Sequence, residues 1–94
     1  MRTLYESANY AECCAKIQPN AARLDEALRY ALYLISDRPD GFPLIPGTLL
    51  RRVRTNDFPG APALLLFFTI DDENSCTLQS LEPLPVEPEL RGWA

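Results

Sequence analysis

The chain has 94 residues, with 9 Lys or Arg against 13 Asp or Glu, no histidine and a formal net charge of -4. That length fits one domain with a small core, and a chain 47% hydrophobic and 23% charged has the makeup of a folding sequence, not a disordered one. An isoelectric point near 4.6 excludes the general basic footprint of nucleic-acid binders, and the missing histidine excludes Ser–His and Cys–His nucleophile pairs.

The residues from Arg2 to Tyr5, RTLY, are predicted to form a short strand. Ser7 then offers its hydroxyl to cap a helix over ANYAECCAKI, which should stop at Pro19. Asn20 is placed to cap a second helix, AARLDEALRYALYLIS. There Leu24, Ala27, Leu28, Ala31, Leu32 and Ile35 recur at helical spacing and make one apolar stripe. Asp25 and Arg29, one turn apart on the other face, are expected to pair. Since only Gln18 to Asn20 separate the two periodic segments, an antiparallel helical hairpin is expected.

The run DRPDGFPLIPG is dense in proline and glycine and reads as a surface loop. After it the period changes. Leu49 to Thr55 (LLRRVRT), Ala63 to Ile70 and Cys76 to Leu81 read as three strands, with NDFPGAP linking the first two. ALLLFFTI is apolar at nearly every position, which suits a central strand covered on both faces. Residues 83–94, with Pro83, Pro85 and Pro88 and a lone Trp93, read as an extended tail behind a single domain over 1–82.

Asp71, Asp72 and Glu73 stand together between two strand-like runs. Consecutive extended residues point to opposite sides, so these carboxylates do not converge on an ion, and no metal site is expected. Asp, Asn and Ser are instead the residues of a four- or five-residue hairpin connection, because their side chains bond nearby backbone. The hairpin makes the last two strands antiparallel neighbours and LLRRVRT the preceding strand of a meander.

Arg51, Arg52 and Arg54 form the one local basic patch of an acidic chain. Strand alternation puts Arg52 and Arg54 on one face and Arg51 with Val53 on the other. With Val53 turned to the helices, Arg52 and Arg54 lie on the free face, and whether Arg51 joins them depends on register. A binding role for all three, toward nucleic acid or an acidic partner, stands beside a plain solubilising role for an edge strand. Cys13 and Cys14 are adjacent and Cys76 is alone, an odd count that reads as buried thiols in a reducing compartment. The longest apolar run, Ala61 to Phe68, falls far short of the roughly 20 residues of a membrane span. No charged-then-apolar leader precedes it, so a cytoplasmic protein is expected. Neither a Gly-rich phosphate loop nor paired Cys and His ligands are present, so no cofactor is expected.

The order of short strand, helical hairpin, proline-rich loop and three-stranded meander, with the phrases PGTLLRRVRTNDFPG and APALLLFFTIDDENSCTLQSLEP, resembles the RelE/ParE toxin superfamily of bacterial toxin–antitoxin systems. The resemblance covers about Arg2 to Pro83. It implies an α+β fold, an N-terminal helical hairpin on an antiparallel meander sheet of three to four strands. It also implies a small toxin that grips ribosome-bound messenger RNA or DNA gyrase and is neutralised by an antitoxin. In the RNA-cleaving branch, sheet arginines assist attack of a 2′-hydroxyl on phosphate, and Arg52 and Arg54 match those basic positions.

The third strand of that family often begins with leucine then arginine, whereas this chain has Leu64 then Leu65, and no basic residue stands between Arg54 and Arg91. Each lost charge contact to the developing phosphorane is worth ~3 kcal/mol. The expectation is therefore a toxin-type or toxin-derived module acting mainly by binding protein, an antitoxin-like partner first, without efficient catalysis and with no named catalytic residue. The alternatives are a ribosome-dependent RNA-cleaving toxin and an inactive domain that forms homodimers.

Overall fold

In the computed structural model the described residues are 1–17, 21–55 and 63–83, without the side chains of 21–23. The elements follow as β1 (Thr3–Glu6), α1 (Ala8–Ile17), α2 (Ala21–Asp37), β2 (Arg51–Arg54), β3 (Leu64–Ile70) and β4 (Ser75–Pro83). The hairpin turn at 18–20 with its Asn20 cap, the link at 56–62 and the tail at 84–94 with Trp93 lie outside the described residues. Among the described residues no helix is long and apolar enough to cross a membrane.

Ser7 caps α1 as expected: its Oγ accepts from the Tyr10 N–H at 3.0 Å. The stripe on α2 is also as expected, with Leu24, Leu28, Ala31 and Ile35 buried. Asp25 and Arg29 do not pair; among the described residues the ion pair is Arg38 with its neighbour Asp37 at 3.3 Å. Both Asp25 and Arg29 are exposed, and a solvated pair gains too little to hold two long side chains in one geometry.

The sheet has the order β1-β4-β3-β2. Strands β2, β3 and β4 form the expected antiparallel meander. The expectation of a wholly antiparallel sheet is corrected by β1, which pairs with β4 in parallel, Leu4 opposite Cys76. Two helices intervene between β1 and the meander, so β1 reaches its partner by a crossover, not a hairpin, and only a crossover permits parallel pairing. The junction is tied at its other end, where the Arg2 N–H donates to Ser36 O at 2.9 Å and Ser36 Oγ donates to Arg2 O at 2.7 Å. The fold is thus α+β with two helices and a mixed four-stranded sheet.

One face of the sheet is covered. Val53, Leu66, Phe68, Cys76, Leu78 and Leu81 share a single buried cluster with Tyr10, Leu24, Leu28, Ala31 and Ile35. β3 is an interior strand, as expected, but the expectation of cover on both faces is corrected: Leu64, Leu66 and Phe68 are buried while Leu65, Phe67 and Thr69 are half-buried. Both helices contribute their apolar residues to the one cluster, and among the described residues no helix covers the opposite face.

Leu78 and Leu81 both belong to that core, although three residues apart on a regular strand they would point to opposite faces. A bulge resolves the conflict. Phe67 pairs with Ser80 and Phe68 with Leu78, so Gln79 is an extra residue on β4 and the side-chain alternation is reset there. The Gln79 carbonyl accepts from Ser7 Oγ at 3.1 Å and Asn9 Nδ2 at 2.9 Å, which fixes the start of α1 on the sheet.

The proline-rich loop before β2 is more than a surface excursion. Pro39 is buried within a short 3₁₀ turn, Pro39–Gly41, and Phe42 meets Phe68 edge to face with ring centroids 5.8 Å apart. Gly47 has φ 79°, the one positive value among the described residues, and allows the reversal that brings Leu44 opposite Arg51.

Phe68 is fully buried and carries the contact with Phe42, so Phe68→Ala should destabilise the domain by about 3–5 kcal/mol. Denaturant unfolding monitored by circular dichroism would show the midpoint fall, and an unchanged midpoint would refute this core.

Candidate functional site

The helix-free face of the sheet is built in rows. Arg52 lies opposite Phe67, which lies opposite Ser80; Arg54 lies opposite Leu65, which lies opposite Glu82. Arg52 and Arg54 are exposed while Val53 between them is buried, the register expected from alternation. Farther across, Tyr5 opposes Thr77 and is 57% exposed. The face therefore runs from two guanidinium groups, over a half-buried apolar pair, to a polar margin of hydroxyls and one carboxylate.

Arg51 does not join that pair. It shares a face with Val53, and its Nη1 donates to Phe42 O at 2.6 Å and to Asp40 O at 3.5 Å. Its charge holds the proline-rich loop against β2, where the loop continues the sheet for a single bridge. Of the three arginines named from the sequence, two are presented together to solvent and the third fastens backbone.

The acidic segment is a turn. Asp71 N–H and Asp72 N–H donate to Ser75 O at 3.0 and 3.3 Å, and Asp72 Oδ1 accepts from the Asn74 N–H at 2.7 Å and Ser75 Oγ at 3.1 Å. Asp71 Oδ2 accepts from Thr77 Oγ1 at 2.6 Å and its Oδ1 from Thr69 Oγ1 at 3.2 Å. These carboxylates are spent on closing the β3–β4 hairpin. The backbone N–H of Asn74, with the Ser75 hydroxyl next, holds the Asp72 carboxyl below its usual range.

The cysteines are free, with Cys76 buried and Cys13 and Cys14 half-buried. The expectation of three buried thiols is thus corrected for the α1 pair, because that stretch of α1 lies at the margin of the core. Burial pushes the Cys14 and Cys76 thiols up, away from the thiolate a nucleophile needs. Tyr10 is buried against Cys14, and burial raises its phenol well above the usual value. Tyr5, Tyr30 and Tyr33 are all more than half exposed.

A groove of about 390 Å³ lies along β2 between the strand edge, Arg52 to Thr55, and α2, with Ala27, Tyr30, Leu34 and Phe42 in its walls. Sequence reasoning missed this groove and also missed Leu65 and Phe67 as surface residues. The unbroken apolar run of β3 concealed which of its residues face the helices. The signal for Leu65 and Phe67 was their pairing opposite Arg54 and Arg52, which requires the strand register.

Comparison with family models and with curated proteins finds no match for this sequence.

Two outcomes follow. Arg51→Ala removes a charge-assisted bond to backbone and should cost about 1–2 kcal/mol, whereas Arg52→Ala and Arg54→Ala, both exposed, should each shift stability by less than about 0.5 kcal/mol. Chemical denaturation of the three variants separates the roles. The lowered Asp72 carboxyl supplies stability that is present above the unfolded value of 3.8 and is lost as pH falls through its lower folded value. Asp72→Asn should therefore lower the melting temperature in the neutral region and flatten the acid limb of its profile, the gap to the unsubstituted protein closing as pH falls below 3.8.

Proposed function

We propose that this domain is a RelE/ParE-like module, toxin-type or toxin-derived, that acts by binding a protein partner on its open sheet face. The observation that carries the reading is the exposed pair Arg52 and Arg54 beside the half-buried Leu65 and Phe67. Guanidinium groups flanking an apolar strip suit a partner with carboxylates around apolar side chains. The element order, strand, two helices, loop and meander, agrees with the family pattern and supports the kinship.

Efficient RNA cleavage is the weaker reading. Stabilising a pentavalent phosphate takes several donors converging on one point. Here Arg51 is bonded to loop carbonyls, and Arg52 and Arg54 face Phe67 and Leu65 across the strands, not further cations.

Affinity capture from the native host with the wild type and with Arg52→Glu/Arg54→Glu tests the proposal. The expected result is a specific protein held by the wild type and lost by the charge-reversed form, with message ends unchanged when either is expressed. Capture that is indifferent to the reversal would remove the arginines from the site, and new message ends dependent on them would favour the cleaving toxin.

A further inference from the structure

β2 is an edge strand, and the directions of its backbone groups are set by its pairing with β3. The Thr55 N–H donates to Leu64 O at 2.9 Å. By the antiparallel alternation, residues 51, 53 and 55 turn their backbone groups toward β3, while residues 52 and 54 turn theirs outward. The Arg52 N–H is met by Pro43 O at 3.4 Å, next to the bridge between Leu44 and Arg51. The protein's own loop thus lies on this edge like a further strand as far as Arg52 and then leaves it. Among the described residues nothing meets the Arg52 carbonyl or the N–H and carbonyl of Arg54.

The edge left open borders the groove against α2. A strand added there would alternate its side chains between two different surroundings. One set would enter the groove, beside Ala27, Tyr30, Leu34 and Phe42. The other set would lie on the open face beside Arg52 and Arg54.

We infer that this edge takes up an extended segment of a partner protein in which acidic and apolar residues alternate, the chain continuing the sheet where the loop departs. The inference rests on the protein-binding reading above and names the chemistry of the partner. The recognised feature is a period of two: carboxylates toward the arginines, aliphatic side chains toward α2, and backbone bonds to residues 52 and 54. A second copy of this chain fits poorly, because symmetric pairing of β2 with β2 brings Arg52 and Arg54 of both copies onto one face, and like charges opposed across strands are destabilising.

The test uses a short fluorescein-labelled peptide alternating glutamate and valine, and a control of the same composition with its glutamates and valines in separate blocks. Anisotropy titration of the full chain should show the alternating peptide binding more tightly than the control, and less tightly at high salt. Arg54→Pro deletes the outward N–H without touching a bond to β3. Against Arg54→Gln, which loses the charge but keeps the donor, Arg54→Pro should weaken binding a further fivefold to tenfold, roughly one hydrogen bond. In the unsubstituted protein, hydrogen exchange at the Arg54 amide should slow on peptide addition.

Peptide binding without protection of that amide, and with the two variants equal, would overturn strand addition while leaving the charged face as a binding surface. Failure of the alternating peptide to bind would overturn the inference outright. Protection of the amide in a peptide-free dimer would hand the edge to a second copy. Capture of a protein by the wild type but not by Arg52→Glu/Arg54→Glu, together with either negative peptide result, would keep the broader reading and reject this one.

Discussion

The extra residue at Gln79 is the constraint on which the rest of the architecture depends. β4 carries core residues at Cys76 and Leu78 and again at Leu81, an odd spacing that a regular strand cannot put on one face. Resetting the alternation at Gln79 lets both halves of β4 point into the same core. It also frees a carbonyl, and Ser7 and Asn9 donate to it from the start of α1. One irregularity therefore sets which face is covered and where the covering helix begins.

The character of the open face follows. Because Leu66 and Phe68 are turned to the helices, Val53 opposite Leu66 is turned there too, and Arg52 and Arg54 go to solvent. Arg51 goes with Val53 but lies at the end of β2, where the loop supplies carbonyls to receive its guanidinium. Without that loop it would be a charge facing an apolar layer, which is costly unless hydrogen-bonded. The loop in turn is held by Phe42 packed on Phe68. The third arginine and the proline-rich segment thus serve the same junction, and what remains of the basic patch is a pair on a shared face.

Much of this was legible in the sequence and some was not. Helical periodicity located α2 and its buried stripe, Ser7 announced the start of α1, and the Asp71 to Asn74 turn followed from side chains that bond their own backbone. Alternation in RRVR divided Arg52 and Arg54 from Val53. The parallel pairing of β1 was not legible, because it depends on where the chain returns after two helices, and no local pattern encodes that. The bulge was hidden for a related reason: the apolar residues of β4 contradict a strict period of two, and only the partner strand shows where the extra residue sits. The single coverage of β3 was masked by its composition, since Leu65 and Phe67 look like core residues until the helices are known to share one side.

A net negative protein can still present a positive surface, and distance explains how. Phe67, opposite Arg52, is four residues from Asp71, about 13 Å along a strand, beyond the roughly 8 Å Debye length of physiological salt. Glu82 is two strands away from Arg54, on the order of 10 Å. The arginines are therefore largely screened from these two carboxylates, while a carboxylate arriving on an added strand would stand one strand spacing away, near 5 Å. The acidic surface as a whole does nothing to draw such a segment in from afar. The attraction is confined to contact, so the guanidinium pair selects the partner and its register more than it speeds the encounter.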